Sequence, residues 1–362
     1  VTWRTKCAGL ALLLPLLALT ACDERATAAR INRPSNPPIT TVKPVASSSS
    51  IAPSPTTKTP PPNSGSAAYS PYTSTQGFYV DPTSNAAKWV RSNPGDSRAS
   101  TLSQLIAAKP AAKAFDNWNG QVKNAVDEYV SAAAAKNQLP VLIGYNLPFR
   151  DCGQYSHGGA ANADEYRTWV RDVSAGIANR PSVLILEPDS LIHLDCLSEA
   201  DRRTRVELLK DAGQVLGQQS PKTWVYMDGS DGRWTDPSEM ADRLAAAGVG
   251  GVRGYTVNVA NFNTTDQATS YGKRVKSVLK MRYNIDSGFV VDISRNGNGS
   301  DGSWCNPPGR RIGGFPQVGG PNTVDALLWI KKPGESDGNC GVAQGTKSGE
   351  FIPDLAMQLA GG

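Results

Sequence analysis

Along residues 113–330, short and almost wholly apolar runs alternate with longer segments whose apolar positions recur every three or four residues. The run Val183-Leu184-Ile185-Leu186 shows no polar alternation, so it predicts a strand buried on both faces, as in a parallel sheet covered by helices. Runs at 113–116, 140–145, 223–228, 254–259, 289–294 and 326–330 predict the other strands. The periodic segments predict helices at 121–136, 162–179, 198–219, 236–248 and 266–282. In the first of these, Val122, Ala125, Val126, Tyr129 and Val130 share one stripe; in the second, Tyr166, Trp169, Val170, Val173 and Ile177 do. Asp236-Pro237-Ser238-Glu239 reads as an N-cap with proline at N1 and glutamate at N3, and Gly248 as the stop. About seven strand and helix units in one α/β domain predict a parallel barrel or near-barrel.

The polar residues at the strand ends change the picture from fold to chemistry. After Leu186 the chain reads Glu187-Pro188-Asp189. Proline fixes its own φ and has no N–H, so the ladder must stop there with two carboxylates at the mouth of the sheet. Ligands bind at that carboxyl edge in barrels and open sheets alike. If the strands are parallel, the same edge collects Asp151 after Tyr145, then Asp228, Asn258, Asp292, Arg295, Lys331, Glu335 and Asp337. So many carboxylates beside only two histidines, His157 and His193, argue against a Ser-His-Asp or metal enzyme and for carboxylate acid–base chemistry. Glycoside hydrolysis needs one carboxyl kept protonated and others ionised, and crowding raises the pKa of one member. Tyr145, Trp234 and Trp304 offer ring faces to a sugar. Trp329, inside a strand, reads as core, and Glu187 as the structural member of the carboxylates. Asn296-Gly297-Asn298-Gly299 lacks the strand-to-helix context of a phosphate cradle.

Composition divides the chain. Residues 1–22 carry Arg4 and Lys6, an apolar run, and Leu19-Thr20-Ala21-Cys22, which reads as a secretory signal peptide ending in a lipobox-like site. Lipidation of Cys22 would anchor the protein to a membrane; cleavage at Ala26-Thr27-Ala28 would release it, and both routes export it. Residues 23–75 are rich in Pro, Ser and Thr and predict a disordered tether. Residues 76–362 then form a single catalytic domain, expected to be monomeric. The net charge of +5 is scattered, with no basic helix, which argues against nucleic acid as a partner. Cys152, Cys196, Cys305 and Cys340 suggest two disulfides in an exported domain, with three pairings open. Without a Cys-x-x-Cys motif and with so few histidines, neither metal nor cofactor is expected.

Five motifs together resemble glycoside hydrolase family 6: Leu186-Glu187-Pro188-Asp189-Ser190-Leu191, Tyr145 to Cys152, Asp292 to Gly297, Trp304 to Arg310 and Ala326 to Gly338. That family comprises inverting cellulases, both endoglucanases and cellobiohydrolases. The resemblance runs from about Gly77 to the C-terminus and implies a distorted, incomplete TIM-like barrel of fewer than eight strands. It implies that Asp189 is the general acid, that Asp151 raises the acid's pKa and is connected with the attacking water, and that Asp337 is the candidate base. Asp228 resembles a further aspartate of the cleft, Tyr145 the tyrosine beneath the distorted sugar, and Lys331, Glu335, Trp234 and Trp304 glucan-binding positions. Asn258 is a further candidate for substrate binding, and Ser156, or His157 in its place, for the water chain. The implied disulfides are Cys152–Cys196 and Cys305–Cys340. Three places depart from the family: Ala114 stands where a tryptophan is common, the Ser156-His157-Gly158-Gly159 loop where a serine usually serves the water chain, and Asp231 where a histidine is. Short loops after Asp151 and Asp337 favour endo action. The expectation is an inverting endo-β-1,4-glucanase acting on a β-glucan polysaccharide. The rival is a catalytically weak glycan-binding wall protein, which Ala114 allows and the retained Asp151, Asp189 and Asp337 oppose.

Overall fold

The computed structural model describes residues 69–321 and 324–361, so the expected signal peptide, Cys22 and most of the tether lie outside the described residues. Eight strands form one sheet in the order β1-β2-β3-β4-β5-β6-β8-β7. They are β1 (Lys113–Phe115), β2 (Val141–Gly144), β3 (Ser182–Leu186), β4 (Thr223–Asp228), β5 (Gly254–Val257), β6 (Gly288–Asp292), β7 (Gln317–Val318) and β8 (Ala326–Leu328). The seven strands foreseen from the apolar runs are all present and parallel to their neighbours. The eighth, β7, pairs antiparallel with β8. Its two residues are exposed and carry no apolar run; pairing alone makes it a strand. Among the described residues, the ends of the parallel series meet through one backbone hydrogen bond, from Ala112 N–H to the Trp329 carbonyl at 2.9 Å. The sheet therefore curls into a barrel that a ladder does not close.

Each strand alternates between two buried layers. Leu142, Leu184, Leu186, Val225, Met227 and Val291 face the helices. Val141, Ile143, Val183, Ile185, Tyr226, Val290 and Leu328 meet in the barrel interior. Both faces are dry, which is why the runs read as continuous rather than alternating. At about 1.5–3 kcal/mol for each large side chain removed from water, these layers supply the main favourable term.

The helices follow their sequence signals. Helices α1 (Asn85–Ser92) and α2 (Ala99–Leu102) precede β1, and α3 (Val122–Ala134) and α4 (Ala163–Ile177) bury the stripes expected of them. They approach closely at Gly176, where a Cβ would lie 2.5 Å from the Lys123 carbonyl oxygen. Asn162 caps α4 by accepting the Asp164 and Glu165 N–H groups, and Ser198 caps α5 (Glu199–Gln219). Asp236 caps α6 (Pro237–Ala246), and Thr264 with Gln267 forms a capping box on α7 (Thr265–Tyr283).

The tether was expected to extend to residue 75, but Tyr69 and Tyr72 already belong to the packed domain. Tyr72 is buried against Phe78 and Trp224, and the Tyr69 hydroxyl donates to the Lys222 carbonyl at 2.8 Å. Average composition concealed these two rings at the end of a polar stretch.

Candidate active site

The site begins where β3 stops. Glu187 and Asp189, flanking Pro188, both adopt positive φ, 52° and 65°, a conformation that L-residues hold only when their surroundings require it. Glu187 is buried, and its carboxylate accepts the N–H of Asn146 (2.9 Å) and of Leu147 (3.1 Å). It staples the end of β3 to the loop after β2, and burial pushes its carboxyl up to about 7. The turn aims the half-buried Asp189 side chain into a cavity of about 310 Å³. Behind it, Asp228 accepts the Asp189 N–H (2.7 Å) and the Ser230 N–H (3.0 Å). Asp228 is buried with both oxygens so engaged, and it supports the Asp189 turn instead of bordering the cavity. Burial first, and the Asp151 charge next, push Asp189 up to about 7; burial and Asp189 push Asp228 up likewise. Like charges this close resist joint ionisation, so the pair retains a proton near neutrality.

Asp151 comes from the loop after β2, where Phe149, Asp151 and Cys152 all have positive φ. One carboxylate oxygen accepts the Ser156 N–H at 2.7 Å; the other lies 3.5 Å from His193 Nε2. The adjacent Arg150 does not pair with it. Its guanidinium turns inward to the buried Asp116 (2.8 Å), donates to the Ser156 carbonyl (2.7 Å) and covers the Tyr145 ring at 4.3 Å. The Tyr145 hydroxyl is held well above its ordinary pKa by burial and then by the charges of Asp189 and Asp151. The Cys152–Cys196 disulfide ties this loop to the loop after β3.

Asp337 is held differently. One oxygen accepts from Arg295 (2.8 Å) and from the Asn306 N–H (3.0 Å), and the other lies 3.0 Å from Lys331 Nζ. Burial opposes its ionisation, but Arg295 and Lys331 prevail and hold the carboxyl far below its usual range. Such a carboxylate is ionised yet a weak proton acceptor. The Cys305–Cys340 disulfide secures the surrounding loops.

Asp151, Asp189 and Asp337 thus meet at one cavity, and Ser156, Lys331, Trp234 and Trp304 line it as well. Trp234 is 49% exposed and Trp304 40%, so both have ring surface free for a ligand. Four expected residues do not line the cavity: Asp228 and Tyr145, placed above, and Asn258 and Glu335. Asn258 is fully buried; its amide donates to the Asn263 and Asp292 carbonyls and accepts the Asn263 N–H, so it holds β5 to β6 and cannot reach substrate. Glu335 borders a neighbouring cavity of about 300 Å³ with Ala114 and the 64% exposed Trp118, where it meets Asn85 and Lys332, both at 2.9 Å. Asp231 is buried and accepts the Arg233 N–H at 2.8 Å, shaping the turn that presents Trp234. His157 is exposed and stands off the cavity, leaving Ser156 as the serine on that loop.

Residues 73–360 match the family Glycosyl hydrolases family 6. The chain belongs to glycoside hydrolase family 6. It is 46% identical to Endoglucanase 1 of Streptomyces halstedii over 293 residues, covering 81% of this chain and 91% of that one. It is 42% identical to Endoglucanase A of Thermobispora bispora over 288 residues, 78% of this chain and 61% of that one. Among solved structures, the endoglucanase Cel6 of Mycobacterium tuberculosis, in complex with methyl-cellobiosyl-4-deoxy-4-thio-β-D-cellobioside, matches with a TM-score of 0.74. Its identity is 38%, over 80% of this chain and 98% of that one.

Within this family 6 enzyme, sequence reasoning missed the residues that work by contact across loops. The count of two histidines speaks against metal and Ser-His-Asp chemistry but gives His193 no role, and nothing in its motif marks Asn306, which grips both ends of Asp337. Tyr155 was also missed; it lies over Gly338, where a Cβ would come 2.6 Å from its ring, and 6.2 Å from the Trp304 ring. The neighbouring cysteines, Cys152, Cys196 and Cys305, were the available signal, since a disulfide marks loops that must meet.

Proposed function

We propose that this glycoside hydrolase cleaves β-1,4-glucosidic bonds inside cellulose or a related β-glucan, with inversion at the anomeric carbon. The observation that carries the reading is the contrast within one cavity: Asp189 is set to keep a proton near neutrality, while Asp337 stays ionised between Arg295 and Lys331. Asp189 gives its proton to the glycosidic oxygen as the bond to the anomeric carbon breaks, and the electron pair leaves with that oxygen. A water attacks the carbon from the opposite face and passes its proton to a carboxylate. Asp151, beside Ser156 and not neutralised by an arginine or lysine, suits that role better than Asp337, whose lone pairs Arg295, Lys331 and Asn306 occupy. Trp234 and Trp304 supply ring faces for successive sugars. Similarity to endoglucanases supports attack within the chain.

The test is hydrolysis of carboxymethyl cellulose and of cellotetraose. Viscosity should fall well ahead of the release of reducing ends, and proton NMR of the first products should show the α-anomer. A β-anomer appearing first would mean retention, and release of reducing ends without loss of viscosity would mean attack from chain ends. Export belongs to the same reading, supported by Arg4, Lys6 and the apolar run before Cys22.

A further inference from the structure

His193 plays no part in the steps above, yet it stands at the centre of the site. It follows Asp189 on the loop after β3, and its ring, 24% exposed, borders the same cavity. Its Nε2 lies 3.5 Å from one Asp151 oxygen, while the Ser156 N–H takes the other. The contact is built in from both sides. Cys152 is the residue after Asp151, Cys196 lies just beyond His193, and their disulfide brings the two Cα atoms to 6.2 Å. The His193 N–H donates to the Asp189 carbonyl at 3.2 Å, and its own carbonyl accepts from Arg205 Nη1 at 3.3 Å. The imidazole is therefore clamped against Asp151 by its backbone at both ends.

We infer that His193 is the positioning residue of Asp151, holding its carboxylate at the cavity and, on taking up a proton, cancelling the negative charge that Asp151 exerts on Asp189. This rests on Asp189 being the acid and Asp151 serving the water. With a neutral imidazole, the Asp151 charge acts fully on Asp189 and helps it keep its proton. When His193 gains a proton, the imidazolium pairs with Asp151, weakens that field and occupies the lone pair needed to accept the proton of water. Activity then fails on the acid side when His193 titrates. A cleft of carboxylates alone has no imidazole to set that limb. The groups facing the imidazole are Asp151 from the loop after β2, Asp228 from β4 and Arg205 from α5. Burial, the largest influence, and Arg205 disfavour the imidazolium, while Asp151 and Asp228 favour it. His193 is thus neutral at pH 7 and charges below its ordinary range.

Two measurements on the whole protein test this. In His193→Gln, which cannot titrate, the acid limb of kcat on cellotetraose should move down by about one pH unit or more, with KM changed less than twofold. An unmoved limb overturns the inference. The second measurement does not depend on catalysis. The chain holds only His157 and His193, so the imidazole resonance lost in His193→Gln identifies its line in NMR spectra. In Asp151→Asn, whose fold is checked by circular dichroism, that line should titrate at lower pH, because the charge favouring the imidazolium is gone. An unchanged titration also overturns it. Failure of the α-anomer test with a normal Asp151-dependent titration would instead reject the assigned reaction and leave the pairing standing.

Discussion

Asp189 and Asp337 carry the same side chain at the same cavity, and their neighbours set them to opposite protonation states. Asp189 faces Asp151 from a half-buried turn, whereas Asp337 lies between two cations and a main-chain N–H. If Asp189 is the acid, its loss should matter in proportion to the leaving group's need for a proton. Asp189→Asn keeps the shape, so kcat on cellotetraose should fall by about 10²–10⁴-fold, while a dinitrophenyl cello-oligosaccharide, which departs unaided, retains far more of its rate. Equal losses on both substrates would move the acid to another carboxyl. The motif containing Asp189 was legible because proline ends a strand in a way that local sequence dictates. That Asn258 is wholly engaged in the fold was not legible, because an asparagine at a strand end reads alike whether it faces sugar or backbone.

At the scale of elements, each strand delivers its end to the site, and the connections between loops give those ends their accuracy. Glu187 ties the ends of β2 and β3, and Asp292 accepts the N–H groups of Ala260, Ser294 and Lys331, joining the ends of β5, β6 and β8. The Cys152–Cys196 disulfide does the same for the loops that carry Asp151 and Asp189. Replacing both cysteines by serine should lower stability by about 2–4 kcal/mol in denaturant unfolding. It should also reduce kcat more than it raises KM, since Asp151 is freed while the tryptophans are not. A variant that loses stability but keeps kcat would show that the loops hold their positions without the bond. Helix ends at Asn162, Ser198 and Asp236 were readable from sequence, because a cap acts on N–H groups within three residues of itself.

Across the whole molecule, the buried carboxyls at the carboxyl edge make stability depend on pH. Glu187, Asp189 and Asp228 are raised to about 7 and Asp292 is raised as well, so the folded state binds more protons than the unfolded chain between about pH 4 and 7. Their contribution is fully present below the unfolded pKa and is lost as pH rises through the folded one. The depressed groups His193 and Asp337 act in the opposite sense, His193 below its ordinary range and Asp337 below about pH 4. The melting temperature should therefore rise as pH is lowered from 8 to 5.5; a higher value at pH 8 would show that these carboxyls are already relaxed by water. The sequence by itself determined the seven parallel strands, the five helices between them, their buried faces and the edge at which the carboxylates collect, because period, caps and proline act through neighbouring residues. Only the tertiary structure decided that Arg150 pairs with Asp116 and not Asp151, that Arg295 and Lys331 neutralise Asp337, and that His193 meets Asp151. Arg150 with Asp116, Arg295 with Asp337 and His193 with Asp151 each join residues from different strand–helix units, and Lys331 meets Asp337 across a turn inside one loop. How close such groups come, and so how each one titrates, is set by how the barrel curls and how its loops turn, which no local pattern encodes.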